Sequence, residues 1–262
     1  MPPVVNAADP NPGVATTSAM SVAVTVPIYK PVLDDPEYFG MFNSLRVLNQ
    51  RQIYFFAPRG LDLRFYAEKF PSARFVFFPE CCFATISDYN KLLMSEEFYE
   101  LFAPFDYLLV LQPDAVVFFD ALDEWTSRGI DYVGAPWPWW EQIVIPQHSP
   151  HLAGFRFRLG VGNGGLSLRR RTSCLRVVRE CYWVPKTIDI NEDLLFSLAG
   201  HILPGHRVPG TAEAAQFSLE NKPELMIKLG GKTPMGFHAW QQFGGQLCRQ
   251  WFEEFGFTMP SR

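Results

Sequence analysis

Several short stretches of the 262-residue chain carry residue types that could do chemistry. Asp114 follows the apolar run Tyr107–Leu111 and the pair Gln112-Pro113. A buried strand that ends on a carboxylate needs a compensating charge, because an unpaired buried charge is strongly destabilising. The plain alternative is a turn former after Pro113. Asn191-Glu192-Asp193 sets two carboxylates at the start of a short helical stretch, 191–200, where acids complement the positive end of the helix dipole. His238 sits between Phe237 and Ala239-Trp240, a setting that equally suits a packed core histidine. Trp137, Trp139 and Trp140 alternate with prolines in PWPWW, and indole faces either stack on the C–H face of a pyranose or pack the segment down.

The elements that must position these residues can be read from the periodicity. VAVTVPIY (22–29), QIYFFA (52–57), ARFVFF (73–78) and the run to Leu111 are strand candidates. Helical stretches at 35–50, 61–70 and 87–102 separate them, with Pro36 at a first-turn position and Ser95 as a local cap before Glu96-Glu97. The order β-α-β-α-β-α-β predicts a mostly parallel sheet with right-handed crossovers. Ligands bind beyond the carboxyl ends of such strands, and Asp114 stands there. Further on, 131–135 reads as a short strand, 136–154 as a Pro-rich loop and 155–170 as two strand segments around glycines. Stretches 172–183, capped by Thr172, 191–200 and 241–257 read as helices. Residues 1–20 read as a flexible tail and 21–262 as one domain, with a nucleotide-binding half (21–120) and a less regular acceptor half (121–257).

Composition narrows the function classes. A net charge of −4 is a poor match for a nucleic acid polymer. No apolar run is long enough to span a bilayer, and the first residues lack a basic segment followed by an apolar one, so a cytoplasmic protein is expected, with peripheral membrane association still open. Five cysteines, two of them adjacent at 81 and 82, fit small buried apolar residues better than a metal cage. Gly160, Gly162 and Gly165 satisfy G-x-G-x-x-G in letters. The residues that follow read as strand, not helix, which argues against a dinucleotide fingerprint.

Taken in order, LQPDA (111–115), GVGNGGLSLRR (160–170), NEDLLFS (191–197) and GFHAW (236–240) resemble glycosyltransferases of the GT-A fold. In particular they resemble a family of uncharacterised function within that nucleotide-diphospho-sugar transferase superfamily, over roughly residues 20–245. The resemblance implies a GT-A-like α/β domain, with a Rossmann-like central sheet flanked by helices. It implies transfer of a sugar from a nucleoside-diphosphate donor to a hydroxyl of a saccharide or glycoconjugate. Asp114 matches the last acid of the D-x-D motif that holds a divalent cation, and Gln112 stands where the first acid would be. Mn²⁺ or Mg²⁺ bound by Asp114 and His238 is implied, since these ions keep waters and take few protein ligands. Val26, Pro27 and Tyr29 match the segment that cradles the nucleotide base. Asn90 and Gln112 join the donor side, and Asn163, Gly164 and Gly165 lie beside the donor sugar. Asn191 and the three tryptophans fall on the acceptor side. Asp193 is the implied general base, with Glu192 binding acceptor hydroxyls or exchanging roles with it; a base at that place predicts inversion at the anomeric carbon.

Two rival readings fit the sequence less well. A sugar-phosphate nucleotidylyltransferase needs a glycine-rich basic loop after the first strand, and PIYKPVLDD has none. A carbohydrate-binding or scaffold protein without catalysis fits the loss of the first D-x-D acid, but not the retained Asn-Glu-Asp and Phe-His-Ala-Trp.

Overall fold

The computed structural model describes residues 20–259, so nearly all of the expected tail lies outside the described residues. Strands β1 (Val22–Pro27), β2 (Gln52–Pro58), β3 (Arg74–Phe78) and β4 (Tyr107–Leu111) alternate with helices α1 (Asp35–Val47), α2 (Arg64–Lys69), α3 (Ile86–Leu93) and α4 (Glu96–Leu101). The chain continues through β5 (Val116–Val117), α5 (Leu122–Ser127), β6 (Tyr132–Val144), β7 (Arg156–Arg170), α6 (Arg171–Glu180) and α7 (Val184–Thr187). It then forms α8 (Glu192–Ile202), α9 (Thr211–Ala214), β8 (Ser218–Leu219), α10 (Pro223–Gly230), β9 (Gly236–Phe237), α11 (Trp240–Phe243) and α12 (Gly245–Glu254).

The main sheet has the order β3-β2-β1-β4-β7-β6. The first four strands run parallel, and β7 and β6 are antiparallel to their neighbours. The apolar runs of β1 and β4 are buried throughout, as strands covered on both faces require. On one face Val24, Leu109 and Leu168 pack under α1, α2 and α5. On the other Ala23, Phe56 and Leu108 pack under α3, α4, α6 and α8. A third cluster around Phe118, Phe237 and Trp251 lies beneath α12. Asp34 closes a capping box with Glu37 at the start of α1, and Ser95 caps α4 as its sequence suggests.

Several expectations need correction. PWPWW is not a loop: it belongs to β6, a 13-residue strand. Prolines are tolerated because β6 is the sheet edge, where an outward N–H has no partner to lose, and the register against β7 shifts around Pro136. The segment around the glycines is one 15-residue strand, β7. The 87–102 helix breaks at Met94-Ser95, the C-terminal one breaks at Gly244, and α6 starts at Arg171 with no side-chain cap from Thr172. A second sheet, β5-β9-β8, was not foreseen. Cys174, Cys181 and Cys248 are buried, whereas Cys81 is exposed.

Candidate active site

Parallel pairing of β1 with β4 makes Pro27-Ile28-Tyr29 and Gln112-Pro113-Asp114 leave the sheet side by side. Between them opens a cleft of about 470 Å³, lined by Pro27, Tyr29, Phe83, Ile86, Tyr89 and Asp114 among others. Tyr29 and Ile86 are 53% and 80% exposed, so two apolar faces stand open at its mouth. Such walls suit a flat aromatic ligand. Val26 is buried in the core and can meet a ligand only through its main chain. Asn90 is buried beside α8, where its amide donates to Asn191 Oδ1 at 2.9 Å.

The small sheet brings His238 to Asp114. Antiparallel pairing of Val116 with Phe237 sets the residue after β9 level with the residues before β5. Parallel pairing of Leu219 with Phe237 sets Glu220 beside the same histidine. His238 Nδ1 meets Glu220 Oε2 at 2.9 Å, while Nε2 faces Gln112 Oε1 at 3.2 Å and Asp114 Oδ1 at 3.4 Å. Burial disfavours the imidazolium, but hydrogen bonds and charge from Asp114 and Glu220 outweigh it and push the pKa up to about 10. Burial likewise acts against ionisation of Asp114, and the His238 partner more than offsets it, so the carboxyl titrates below its usual range. A Cβ on Gly165 would fall inside the His238 ring, so only glycine admits the imidazole here.

The donor set can be tested against a divalent cation. Among the described residues no three His, Cys, Asp or Glu side chains converge as a metal cage. Asp114 and His238 supply two ligands of that kind, and Gln112 adds an amide oxygen 3.2 Å from His238 Nε2. With Nδ1 held by Glu220, Nε2 is the nitrogen left for a metal, the arrangement usual for a ligating histidine. The residues present therefore fit Mn²⁺ or Mg²⁺ completed by ligand oxygens and water.

One residue further back along β7, Gly164 abuts the start of α8. A Cβ on it would stand 2.5 Å from Glu192 Oε1 and 3.2 Å from Asp193 Cβ. Adjacent glycines of β7 thus border the Glu192-Asp193 pair, at Gly164, and His238, at Gly165. Glu192 is buried and bound to Arg169 Nη2 at 2.9 Å. Arg169 is itself fully buried; it also donates to Ser167 Oγ and Tyr99 Oη and lies over the rings of Tyr132 and Phe196. Arg169 pairs with Glu192 and not with Asp193. Burial and the adjacent Glu192 charge raise the Asp193 pKa to about 7, against weaker opposition from the Leu194 N–H, the Arg169 charge and the Gly164 N–H. A carboxylate poised there is suited to take a proton near neutrality.

The three tryptophans diverge. Trp137 is buried, with its ring against Gly162. Trp139 and Trp140 are 51% and 58% exposed, and all three tryptophans line a groove beside α10.

The profile of a family described as "protein of unknown function (DUF5672)" matches residues 72–238, more than half of the chain. The chain belongs to that family. Asp114, Glu192, Asp193 and His238 of this DUF5672 member all lie inside the matched segment, and Pro27 and Tyr29 precede it. No curated protein matches the chain by sequence. Among solved structures, the galactosyltransferase LgtC in complex with donor and acceptor sugar analogues is similar at TM-score 0.53 and 13% identity. That likeness covers 92% of this chain and 97% of LgtC. An active-site variant of LgtC is similar at TM-score 0.52 and 14% identity, with the same coverage. The DUF5672 chain therefore has the GT-A fold of glycosyltransferases. No helix among its described residues is long and apolar enough to cross a membrane.

Two residues of this DUF5672 site escaped the sequence reading. Arg169 carried a signal, a cation in an otherwise apolar strand run, Leu166-Ser167-Leu168-Arg169. Glu220 carried none, because only the β8–β9 pairing sets it against His238.

Proposed function

We propose that the chain transfers a sugar from a nucleoside-diphosphate donor to a hydroxyl of a saccharide or glycoconjugate. The observation that carries this reading is the placement, at the adjacent β7 residues Gly165 and Gly164, of a cation-competent Gln112-Asp114-His238 set and of a carboxylate, Asp193, whose pKa is raised to about 7. The adjoining cleft, with Tyr29 and Ile86 at its mouth, suits the base and ribose of the donor. Tyr89 Oη, within 3.5 Å of the Gln112 amide, ties that cleft to the cation set.

In this reading the acceptor hydroxyl gives its proton to Asp193 as its oxygen bonds to the anomeric carbon. The bond from that carbon to the diphosphate oxygen breaks, and its electron pair leaves with the nucleoside diphosphate. Attack from the face opposite the leaving group inverts the anomeric centre. Asp193 Oδ1 accepts from the Leu194 N–H at 2.7 Å, and the Gly164 N–H also favours the carboxylate. Glu192, ion-paired with Arg169, keeps its negative charge and contributes the repulsion that keeps Asp193 basic. A divalent cation held by Asp114 and His238 would offset charge on the departing diphosphate.

The test is turnover of UDP-, GDP-, CDP-, dTDP- and ADP-sugars with Mn²⁺, comparing wild type with Asp193→Asn. Loss of the base should lower transfer by about 10²–10⁴-fold with donor binding intact. NMR of the product should show inverted configuration. Retention would remove the base role from Asp193, and full activity in the variant would remove its catalytic role altogether. The glutamine at 112 supports a second reading, a saccharide-binding protein without catalysis. Saccharide binding with no turnover at saturating donor and Mn²⁺ would select it.

A further inference from the structure

Where helices among the described residues carry a side-chain cap, they carry it in one geometry. Asp34, Thr85 and Ser95 precede α1, α3 and α4 with extended backbone. Each accepts from the N–H three residues on, at Glu37, Asp88 and Phe98. That bond satisfies one of the N–H groups that a helix start leaves without an intrahelical partner.

Asn191 stands in the same position before α8. Asparagine is among the best cap residues, and the backbone of Asn191, at φ −76° and ψ 159°, is extended like the other three. Yet its side chain makes no cap bond. Its Oδ1 accepts instead from Asn90 Nδ2 at 2.9 Å. By the pattern of the other helices, the N–H it would take is that of Leu194. Asp193 Oδ1 holds this N–H at 2.7 Å. Two side-chain oxygens are therefore placed to contend for one donor. Asn90 is buried on α3, whose Ile86 and Tyr89 line the cleft beside Asp114, whereas Asn191 lies at the surface, where its side chain is free to turn. The sequence reading set Asn90 on the donor side and Asn191 on the acceptor side; in the fold the two amides bind each other.

We infer that Asn90 is a positioning residue for Asp193: by binding the Asn191 amide it keeps the cap residue of α8 off the Leu194 N–H, and leaves that N–H to orient the Asp193 carboxylate. The base role of Asp193 rests on the transferase reading above; the contest for the Leu194 N–H stands apart from it. Removing the Asn90 amide frees Asn191 to cap α8. Asp193 then loses a hydrogen bond that favours its ionised form, so its pKa rises further, and the carboxylate loses the bond that fixes its direction.

Carbon-13 NMR titration of the full chain, labelled at aspartate Cγ, tests this, with the Asp193 signal assigned by its absence in Asp193→Asn. The proteins are wild type, Asn90→Ala, Asn191→Ala and the double variant. Asp193 of wild type should titrate near pH 7. Asn90→Ala should move that midpoint up by about one pH unit, the effect of one lost N–H bond on a carboxylate. Asn191→Ala and the double variant should titrate as wild type, because no side chain is left to compete with Asp193. The charged and titratable groups around Asp193 are Glu192 beside it, Arg169 on β7 and Tyr132 on β6, and they are the same in all of these proteins. Asn90→Leu, close to asparagine in size, makes the same cut without a cavity and carries the same expectation if Asn90→Ala unfolds. A midpoint unchanged by the loss of Asn90, or raised equally in the double variant, overturns the inference. Turnover of nucleotide sugars by the same proteins separates the two readings. The acid limb of the rate should move with the NMR midpoint in Asn90→Ala, with the KM for donor unchanged. A limb that stays while the midpoint moves leaves transfer standing and removes both Asp193 as base and Asn90 as its positioning residue. No transfer in wild type removes the transferase reading, and a midpoint that moves as expected still upholds Asn90 as the residue that orients Asp193.

Discussion

Asp193 and Glu192 are neighbours in sequence with opposite electrostatic fates. Glu192 has a buried guanidinium, and Asp193 has burial and a like charge beside it. Two predictions belong to this scale. First, the rate of transfer should rise with pH through about 7 as Asp193 ionises, an acid limb that Asp193→Asn removes. The same shift acts on stability. The folded-state value of about 7 lies above the ordinary 3.8, so the folded protein holds this proton more tightly than the unfolded chain. Asp193 therefore takes stability away as pH climbs from about 4 to about 7. The melting temperature of Asp193→Asn, relative to wild type, should increase across that window in a pH series. Second, Arg169→Met should cost about 3–5 kcal/mol in denaturant unfolding, because Glu192 is left as an unpaired buried charge. Adding Glu192→Gln should recover much of that loss, and a purely additive double-mutant cycle would deny the coupling.

At the scale of elements, the site depends on two close approaches. Strand β7 presents Gly164 to α8 and Gly165 to His238, and strand pairing of β5 with β9 holds His238 beside Asp114. Gly165→Ala should displace the imidazole while leaving the rest of the sheet paired. The expected outcome is a loss of about 1–3 kcal/mol from overpacking, unchanged far-UV circular dichroism, and loss of any Mn²⁺ contribution to nucleotide binding. Retained Mn²⁺ dependence in that variant would separate His238 from the cation.

The whole molecule joins these parts through one sheet edge. Carboxyl ends of β1 and β4 make the cleft, and the antiparallel β7 returns from the far side with its glycines level with Gln112. A nucleoside diphosphate that occupies the cleft should stabilise the entire fold. At 100 times its dissociation constant the gain is about 2.7 kcal/mol, a rise in melting temperature of about 5–10 °C for a chain of this size. UDP, GDP, CDP, dTDP and ADP, each with and without Mn²⁺, should single out one base. Mn²⁺ should strengthen the shift in wild type and not in Asp114→Ala. A metal-independent shift would take the cation role from Asp114, and no shift with any nucleotide would leave the transferase reading without its donor.

The sequence by itself determined the parallel half of the fold and the placement of Asp114. Apolar runs in β1, β2 and β4 and amphipathic helices between them are local signals, and local signals survive in one dimension. The Asn-Glu-Asp helix start was legible for the same reason. PWPWW was misread because proline forbids a central strand but not an edge, and edge status is a property of the sheet. Gly164 and Gly165 were legible as points of close approach, although their partners, Asp193 and His238, were not. Only the tertiary structure decided that Arg169 ion-pairs with Glu192 and not with Asp193, that Glu220 turns Nε2 of His238 toward Asp114, and that Trp137 is buried while Trp140 stays open. Each of these follows from strand register and burial, which set the local dielectric and the distance between charges, and neither quantity is written in residue spacing.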